Sequence, residues 1–210
     1  MEWKEIDDTI NLHPQKLTLE RSEFTKRKVL SLFSKTFDPI GIVTPIIIRS
    51  RMLIQKLWKG KFDWDDLIND DNLYKEATSI LEDMSKVGEL TFDRKLSLSK
   101  KVILHAFSDA SGDGFGCVVY AKSTNREPQF LVSKARVTPL KEDGVKLSIP
   151  KLELTAASLS TRLVKFVKET FKDELIIEDV YYWTDSKVVL SWIKNQKELP
   201  KFESTLLKVV

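Results

Sequence analysis

Apolar positions along this chain change their period once. From residue 25 to residue 86 they recur every three or four places, and beyond about residue 98 they fall into short blocks bounded by turn residues. Ahead of both, Trp3, Ile6, Ile10 and Leu12 are spaced too loosely for a helix and predict a strand pair. Thr25 then caps a helix carrying Val29, Leu32, Phe33 and Phe37 on one side, which Asp38-Pro39 and Gly41 stop. Thr44 as cap and Pro45 at the first helical position open a second helix, with Ile48, Met52, Leu53, Leu57 and Trp58 as its buried stripe. An acidic loop, Asp63-Trp64-Asp65-Asp66, leads to a third helix over roughly 72–86 that turns Leu73, Ala77, Ile80, Leu81 and Met84 inward. Phe37 and Trp58 are expected inside this helical unit.

The second part reads strand, strand, strand, helix, strand, helix. Val102 to Phe107 form an apolar run of the kind buried on both faces, Phe115 to Tyr120 follow a glycine-rich reversal, and Gln129 to Val137 complete a meander. After a loop over 138–144, a helix opening at Ser148 and Pro150 turns Leu152, Ala156, Leu159, Leu163, Phe166 and Val167 to the core. Val180 to Asp185 predict a buried fourth strand. Ser186 caps a last helix with Val188, Val189, Trp192 and Ile193 inward, ending over 194–200. The expected fold is therefore α/β, with residues 99–210 as a mixed sheet with flanking helices and residues 1–98 as a small, mainly helical domain before it.

Composition narrows the function classes. In 210 residues, 42% are hydrophobic, enough for a sizeable core, while 34 basic and 31 acidic residues leave a net charge of only +3. That balance permits a nucleic-acid partner without demanding one. Arg49, Arg51 and Lys56 lie largely off the buried stripe of the second helix and are candidate phosphate contacts, although a solvated helix face is the better account of them on sequence grounds alone. The single cysteine, Cys117, sits inside a strand and excludes a disulfide framework and a cysteine zinc site. With neither an apolar signal core nor a spanning stretch, the default expectation is an intracellular, cytoplasmic or nuclear protein without membrane contact.

Three carboxylates stand where the core ends. Asp109 closes the first strand of the second part, Asp185 closes the fourth, and Glu153 occupies the first turn of the intervening helix. If the two strands are neighbours, their aspartates emerge side by side and the helix aims Glu153 at the same pocket. Three close carboxylates repel unless a cation lies between them, and an all-oxygen set suits Mg2+ or Mn2+. Two such ions about 4 Å apart assist phosphodiester cleavage by activating water and stabilising the leaving oxygen.

The segments Phe107-Ser-Asp-Ala-Ser, Ile149-Pro-Lys-Leu-Glu-Leu and Tyr182-Trp-Thr-Asp-Ser resemble the ribonuclease H region of BEL/Pao-type retrotransposon polyproteins. Upstream, Thr25-Lys-Arg-Lys-Val-Leu-Ser and Phe37-Asp-Pro-Ile-Gly-Ile-Val-Thr-Pro resemble the segment that follows the reverse-transcriptase palm in the same elements. The resemblance implies a ribonuclease H-like fold and a type 1 ribonuclease H acting on the RNA strand of RNA-DNA hybrids. By it, Asp109, Glu153 and Asp185 are the first three metal-binding acids, and the other segments of the parent polyprotein are partners. Ser111 and Ser186 become neighbours of the pocket and join Arg49, Arg51 and Lys56 as candidate nucleic-acid contacts. The family's fourth acid follows a fifth strand. Nothing before Val210 matches it by motif, and Glu203 stands in a different context. The expectation is a fragment, incomplete at its C-terminus, that binds metal weakly and cleaves slowly or undetectably. Without a Tyr-x-Asp-Asp motif it is not a polymerase on its own.

Two rival functions stand beside the nuclease. An aspartic peptidase needs Asp-Thr-Gly or Asp-Ser-Gly, and neither tripeptide occurs; His13 and His105 complete no nucleophilic triad. The other rival, a non-catalytic nucleic-acid-binding or structural remnant, is separated from the nuclease by an assay of metal-dependent cleavage.

Overall fold

The computed structural model describes residues 2–12, 17–87, 90–139, 147–195 and 204–206. His13, Gly88, most of the loop over 138–144, the end of the last helix over 196–200 and Glu203 lie outside the described residues. The chain divides into two compact units, one of Met1–Pro39 with Val43–Leu96 and one of Ile40–Ile42 with Ser97–Val210.

In the first unit, strands β1 (Glu2–Lys4) and β2 (Thr9–Asn11) form the expected antiparallel pair, and β3 (Thr91–Asp93) adds to β2 as a third strand. Arg94 locks the turn, donating two hydrogen bonds to the Asp8 carboxylate with its guanidinium 5.2 Å from the Trp3 ring. Helix α1 (Lys26–Phe33) is capped by Thr25, whose hydroxyl accepts the Lys28 N–H. Helix α2 (Thr44–Lys59) starts one residue earlier than expected. Val43 is its cap residue, and the Asp38 carboxylate accepts the Val43 N–H at 3.0 Å. Helix α3 (Asp71–Lys86) is capped by Asp70, which takes the N–H groups of Asn72 and Leu73. The three helices enclose a core around Phe24, Val29, Leu32, Leu53, Leu57, Ile68, Ile80 and Leu81.

Two aromatic expectations fail here. Phe37 is 69% exposed because α1 ends at Phe33 and leaves it beyond the last turn. Trp58 is 50% exposed, one residue past the fully buried Leu57 and so rotated about 100° off the stripe. Its ring instead meets the Trp64 ring edge-on at 5.3 Å and lies 4.1 Å from the Lys26 ammonium, whose stem is buried.

The second unit is a mixed four-stranded sheet with flanking helices. Strands β4 (Lys101–Ala110), β5 (Gly114–Lys122) and β6 (Gln129–Val137) form an antiparallel meander. Helix α4 (Ile149–Thr170) then crosses over to β7 (Ile176–Trp183), which pairs parallel with β4 and gives the order β6-β5-β4-β7. Helix α5 (Lys187–Lys194) follows. The outer edge of β6 is covered by Ile40–Ile42, where Ser133 donates its N–H to Ile40 and its hydroxyl to the Gly41 carbonyl. Gly41 has φ +81, and a Cβ there would meet the Ser133 carbonyl oxygen at 2.1 Å, so only glycine fits.

Helix α4 lies on one face of this sheet, against Val102, Leu104 and Ala106 of β4 and Val119 and Ala121 of β5. The opposite face is not covered in the same way, which corrects the expectation of two-sided burial for β4 and β7. Phe107 is 43% exposed, and Tyr181 and Trp183 of the edge strand β7 are nearly half exposed. On that face His105 stacks between Tyr181 and Trp183, and Trp183 stacks on Phe107 with planes 11° apart. Phe166 and Val188 are likewise exposed. Each adjoins a buried neighbour, Val167 and Val189, and points off the packed side of its helix.

Cys117 is buried among these strands, and burial pushes its thiol up to about 12. Leu104→Ala, at a fully buried position, is expected to cost about 2–5 kcal/mol in urea unfolding. Phe107→Ala, three residues on and half open to solvent, should cost clearly less. The Cys117 thiol stays neutral in the folded chain while an unfolded chain ionises it from its ordinary value of 9.0 upward. Its stabilising contribution is therefore whole below that value and lost progressively as pH rises from it toward about 12. Stability measured over that window should fall more steeply for the native chain than for Cys117→Ala.

Candidate active site

The order of elements brings three acids to one end of the sheet. β4 and β6 run the same way, α4 returns from the end where β6 finishes, and β7 starts beside the beginning of β4, Ile176 opposite Lys101. The start of α4 thus lies at the end where β4 and β7 finish; Glu153, expected in the first turn, is the fifth residue of a helix that begins at Ile149 and so opens its second turn. Phe107 is the partner of Trp183 in the parallel register, and Asp109 and Asp185 each follow two residues later.

The local bonding is specific. Asp109 is exposed, still paired through its backbone with Gly116 of β5, and its Oδ1 accepts the Ala110 N–H at 2.7 Å. Asp185 is exposed in the link between β7 and α5. This link is held on both sides, because Thr184 Oγ1 accepts the Ser186 N–H at 3.2 Å and Ser186 Oγ accepts the Val189 N–H at 3.3 Å as the cap of α5. Ser186 also donates its hydroxyl to Glu153 Oε2. Glu153 is half-buried between Leu152 and Leu154, both fully inaccessible, so the roll of α4 is fixed where it carries the carboxylate.

Glu153 and Asp185 are therefore linked through Ser186, and Asp185 and Asp109 share a strand-end position. Among the described residues, however, no three Asp, Glu, His or Cys side chains are gathered closely enough to hold one metal ion. Asp109 and Glu153 are each turned to a local donor. Chemically the trio fits a hard divalent cation, since it offers only carboxylate oxygens.

The remaining candidates have structural partners. Ser111 closes the β4–β5 turn, its hydroxyl donating to the Gly114 carbonyl and accepting the N–H groups of Asp113 and Gly114. Arg49 pairs with Asp83 at 2.5 Å and Lys56 with Glu76 at 2.7 Å, joining α2 to α3, while Arg51 is exposed. The Arg49 guanidinium holds the Asp83 carboxyl below the usual carboxylate range. Sequence reasoning missed Thr184, whose hydroxyl stiffens the Asp185 link. A hydroxyl on either side of an aspartate at a strand end is the signal that was there to be read. His105 takes no catalytic place: its Nδ1 accepts the Trp183 Nε1–H at 3.2 Å.

The family model of the Pao retrotransposon-like RNaseH-like domain matches residues 25–186. The chain belongs to this family. The matched span runs through α1 and ends on Ser186, so it includes all three acids. The Pao-type chain is also similar to solved structures. The foamy viral protease-reverse transcriptase with double-stranded DNA has 13% identity and a TM-score of 0.49, and with an RNA/DNA hybrid 17% and 0.48. Both alignments cover 92% of this chain but only 31% and 24% of the foamy viral chains. RNase H1 from the archaeon Halobacterium salinarum has 10% identity over 52% of this chain and 78% of its own, with a TM-score of 0.31. No curated protein sequence matches at a significant level. The chain thus carries a retrotransposon-type RNaseH-like domain over residues 25–186. Among its described residues no helix is long and apolar enough to cross a membrane.

The pairing of Arg49 and Lys56 with α3 leads to a separable outcome. Arg49→Ala and Lys56→Ala are each expected to lower stability by up to about 1 kcal/mol and to leave affinity for an RNA-DNA hybrid unchanged. A loss of hybrid affinity at unchanged stability, in a filter-binding titration, would return these residues to phosphate contact.

Proposed function

We propose that the second unit is a metal-dependent nuclease that cleaves the RNA strand of RNA-DNA hybrids within a retrotransposon Pol polyprotein. The observation that carries this reading is the parallel register of β4 with β7, whose last pair, Phe107 with Trp183, stands two residues before Asp109 and two before Asp185 in sequence. Two exposed carboxylates toward one end of the sheet, with a third on the helix that starts there, have no stabilising use in the core. They suit the binding of Mg2+ or Mn2+.

Asp109, Asp185 and Glu153 would hold the ion. When bound, it supplies Lewis-acid stabilisation of the phosphodiester oxygens and a more acidic water. Asp109 contributes charge from the end of β4 and Asp185 from the link after β7, and their exposure leaves the scissile phosphate room to approach. Glu153 contributes from the helix side, braced by Ser186. Residues 1–98 are proposed as the connection-like segment between a polymerase palm and the nuclease of residues 99–210, with the other segments of the polyprotein as partners.

The non-catalytic reading draws on one observation, that the three carboxylates are not gathered among the described residues. An RNA-DNA hybrid labelled on its RNA strand, incubated with Mn2+, separates the two. Cleavage confined to the RNA strand and reduced more than about 100-fold by Asp109→Asn supports the nuclease. Cleavage that survives Asp109→Asn overturns the assignment, and hybrid binding without cleavage in either protein favours the non-catalytic remnant.

A further inference from the structure

We infer that Ser186 is a positioning residue: its hydroxyl sets the direction of the Glu153 carboxylate and so the metal affinity of the site. The inference rests on the proposed nuclease site and deepens it. Ser186 is 6% exposed, and its hydroxyl has one proton to give and two lone pairs to receive. One lone pair takes the Val189 N–H at 3.3 Å, the cap of α5. With that acceptor side used and water largely excluded, the proton goes to Glu153 Oε2. The accepted N–H polarises the hydroxyl and strengthens its donation, and the acceptor is a carboxylate, so the bond is charge-assisted.

The consequence lies on the glutamate. A glutamate side chain has three rotatable bonds and, on a helix surface, wanders. Here its backbone is fixed by the buried Leu152 and Leu154, and one carboxylate oxygen is fixed by Ser186. Oε1 is left as the oxygen available to a cation. Ser186 also adjoins Asp185 in sequence, and Thr184 Oγ1 holds its backbone N–H at 3.2 Å. One hydroxyl therefore ties two of the three acids, from α4 and from the β7–α5 link, into a fixed relation. A cap alone would need only an oxygen acceptor. The bond to Glu153 needs the proton as well.

The test uses the whole chain, Mn2+ alone as probe, calorimetric titration for affinity and thermal melting for stability. Ser186→Ala is expected to weaken Mn2+ binding about tenfold or more, as loss of a partner behind a metal ligand does. Ser186→Thr should restore it. Ser186→Gly, a residue tolerated at helix caps, keeps the test alive if the alanine variant does not fold, and should show the same loss. In a Glu153→Gln background, Ser186→Ala should lower the melting temperature through the lost cap yet leave Mn2+ affinity where Glu153→Gln alone put it. If Ser186→Ala leaves Mn2+ affinity intact while Glu153→Gln weakens it, the inference fails and the site stands. Equal weakening by Ser186→Ala in both backgrounds also overturns it, since Ser186 would then not act through Glu153. A wild-type chain that binds no Mn2+, or a Glu153→Gln chain that binds it unchanged, removes the proposed site and this inference together.

Discussion

Everything proposed for this chain depends on β7 pairing parallel with β4. A parallel neighbour cannot be reached by a hairpin, so the chain must travel the length of the sheet and come back. Helix α4, of 22 residues, makes that journey, and at about 1.5 Å per residue it is some 33 Å long, enough to return from the end of β6 to the start of β4. The crossover has a second effect. Its start and the last residues of the strand it delivers must lie at the same end of the sheet, so the backbones of Glu153, Asp185 and Asp109 share that end by topology alone. The chemistry-bearing residues need no long loops to bring them together.

Topology gathers the backbones, while electrostatics governs the side chains. Among the described residues the three carboxylates are not gathered, and two of them are bonded to local donors. Asp109 takes the Ala110 N–H and Glu153 the Ser186 hydroxyl. These bonds differ in kind. The first joins a side chain to its neighbour's backbone and restricts little beyond that residue. The second spans two elements and a separation of 33 residues, so it shapes the site as a whole.

Much of this was legible from the residues, and the part that was not has a physical reason. The order of strands and helices followed from where the apolar period changed, and Thr25 and Ser186 declared themselves as caps because only their side chains could satisfy the N–H groups after them. The acids stood out because each ended an apolar run. Burial departs from expectation where an apolar run has only one covered face. Val102 to Phe107 contains both a covered row, Leu104 and Ala106, and an open aromatic row, His105 and Phe107, and hydrophobicity alone does not separate them. Trp58 failed for a related reason: a large ring can leave the core when a cation and a second ring cover it. The bond from Ser186 to Glu153 joins residues far apart in the chain, and no local pattern announces it.

The open aromatic row also explains how the site keeps its alignment. Among the described residues β7 is an edge strand, with a neighbour on one side, and a parallel edge strand is free to slip unless its side chains forbid it. The stack of Tyr181, His105, Trp183 and Phe107 alternates between the two strands and locks one register. The Trp183 Nε1–H to His105 Nδ1 bond and the Lys101–Glu178 ion pair at 2.8 Å reinforce it from opposite ends. A slip of one residue would break every member of that stack. The last stacked pair, Phe107 with Trp183, lies two residues before both aspartates. The rings that stay half exposed are thus the ones that fix where the acids stand, and a fully buried aliphatic row on this face would hold β7 to the sheet without naming its register.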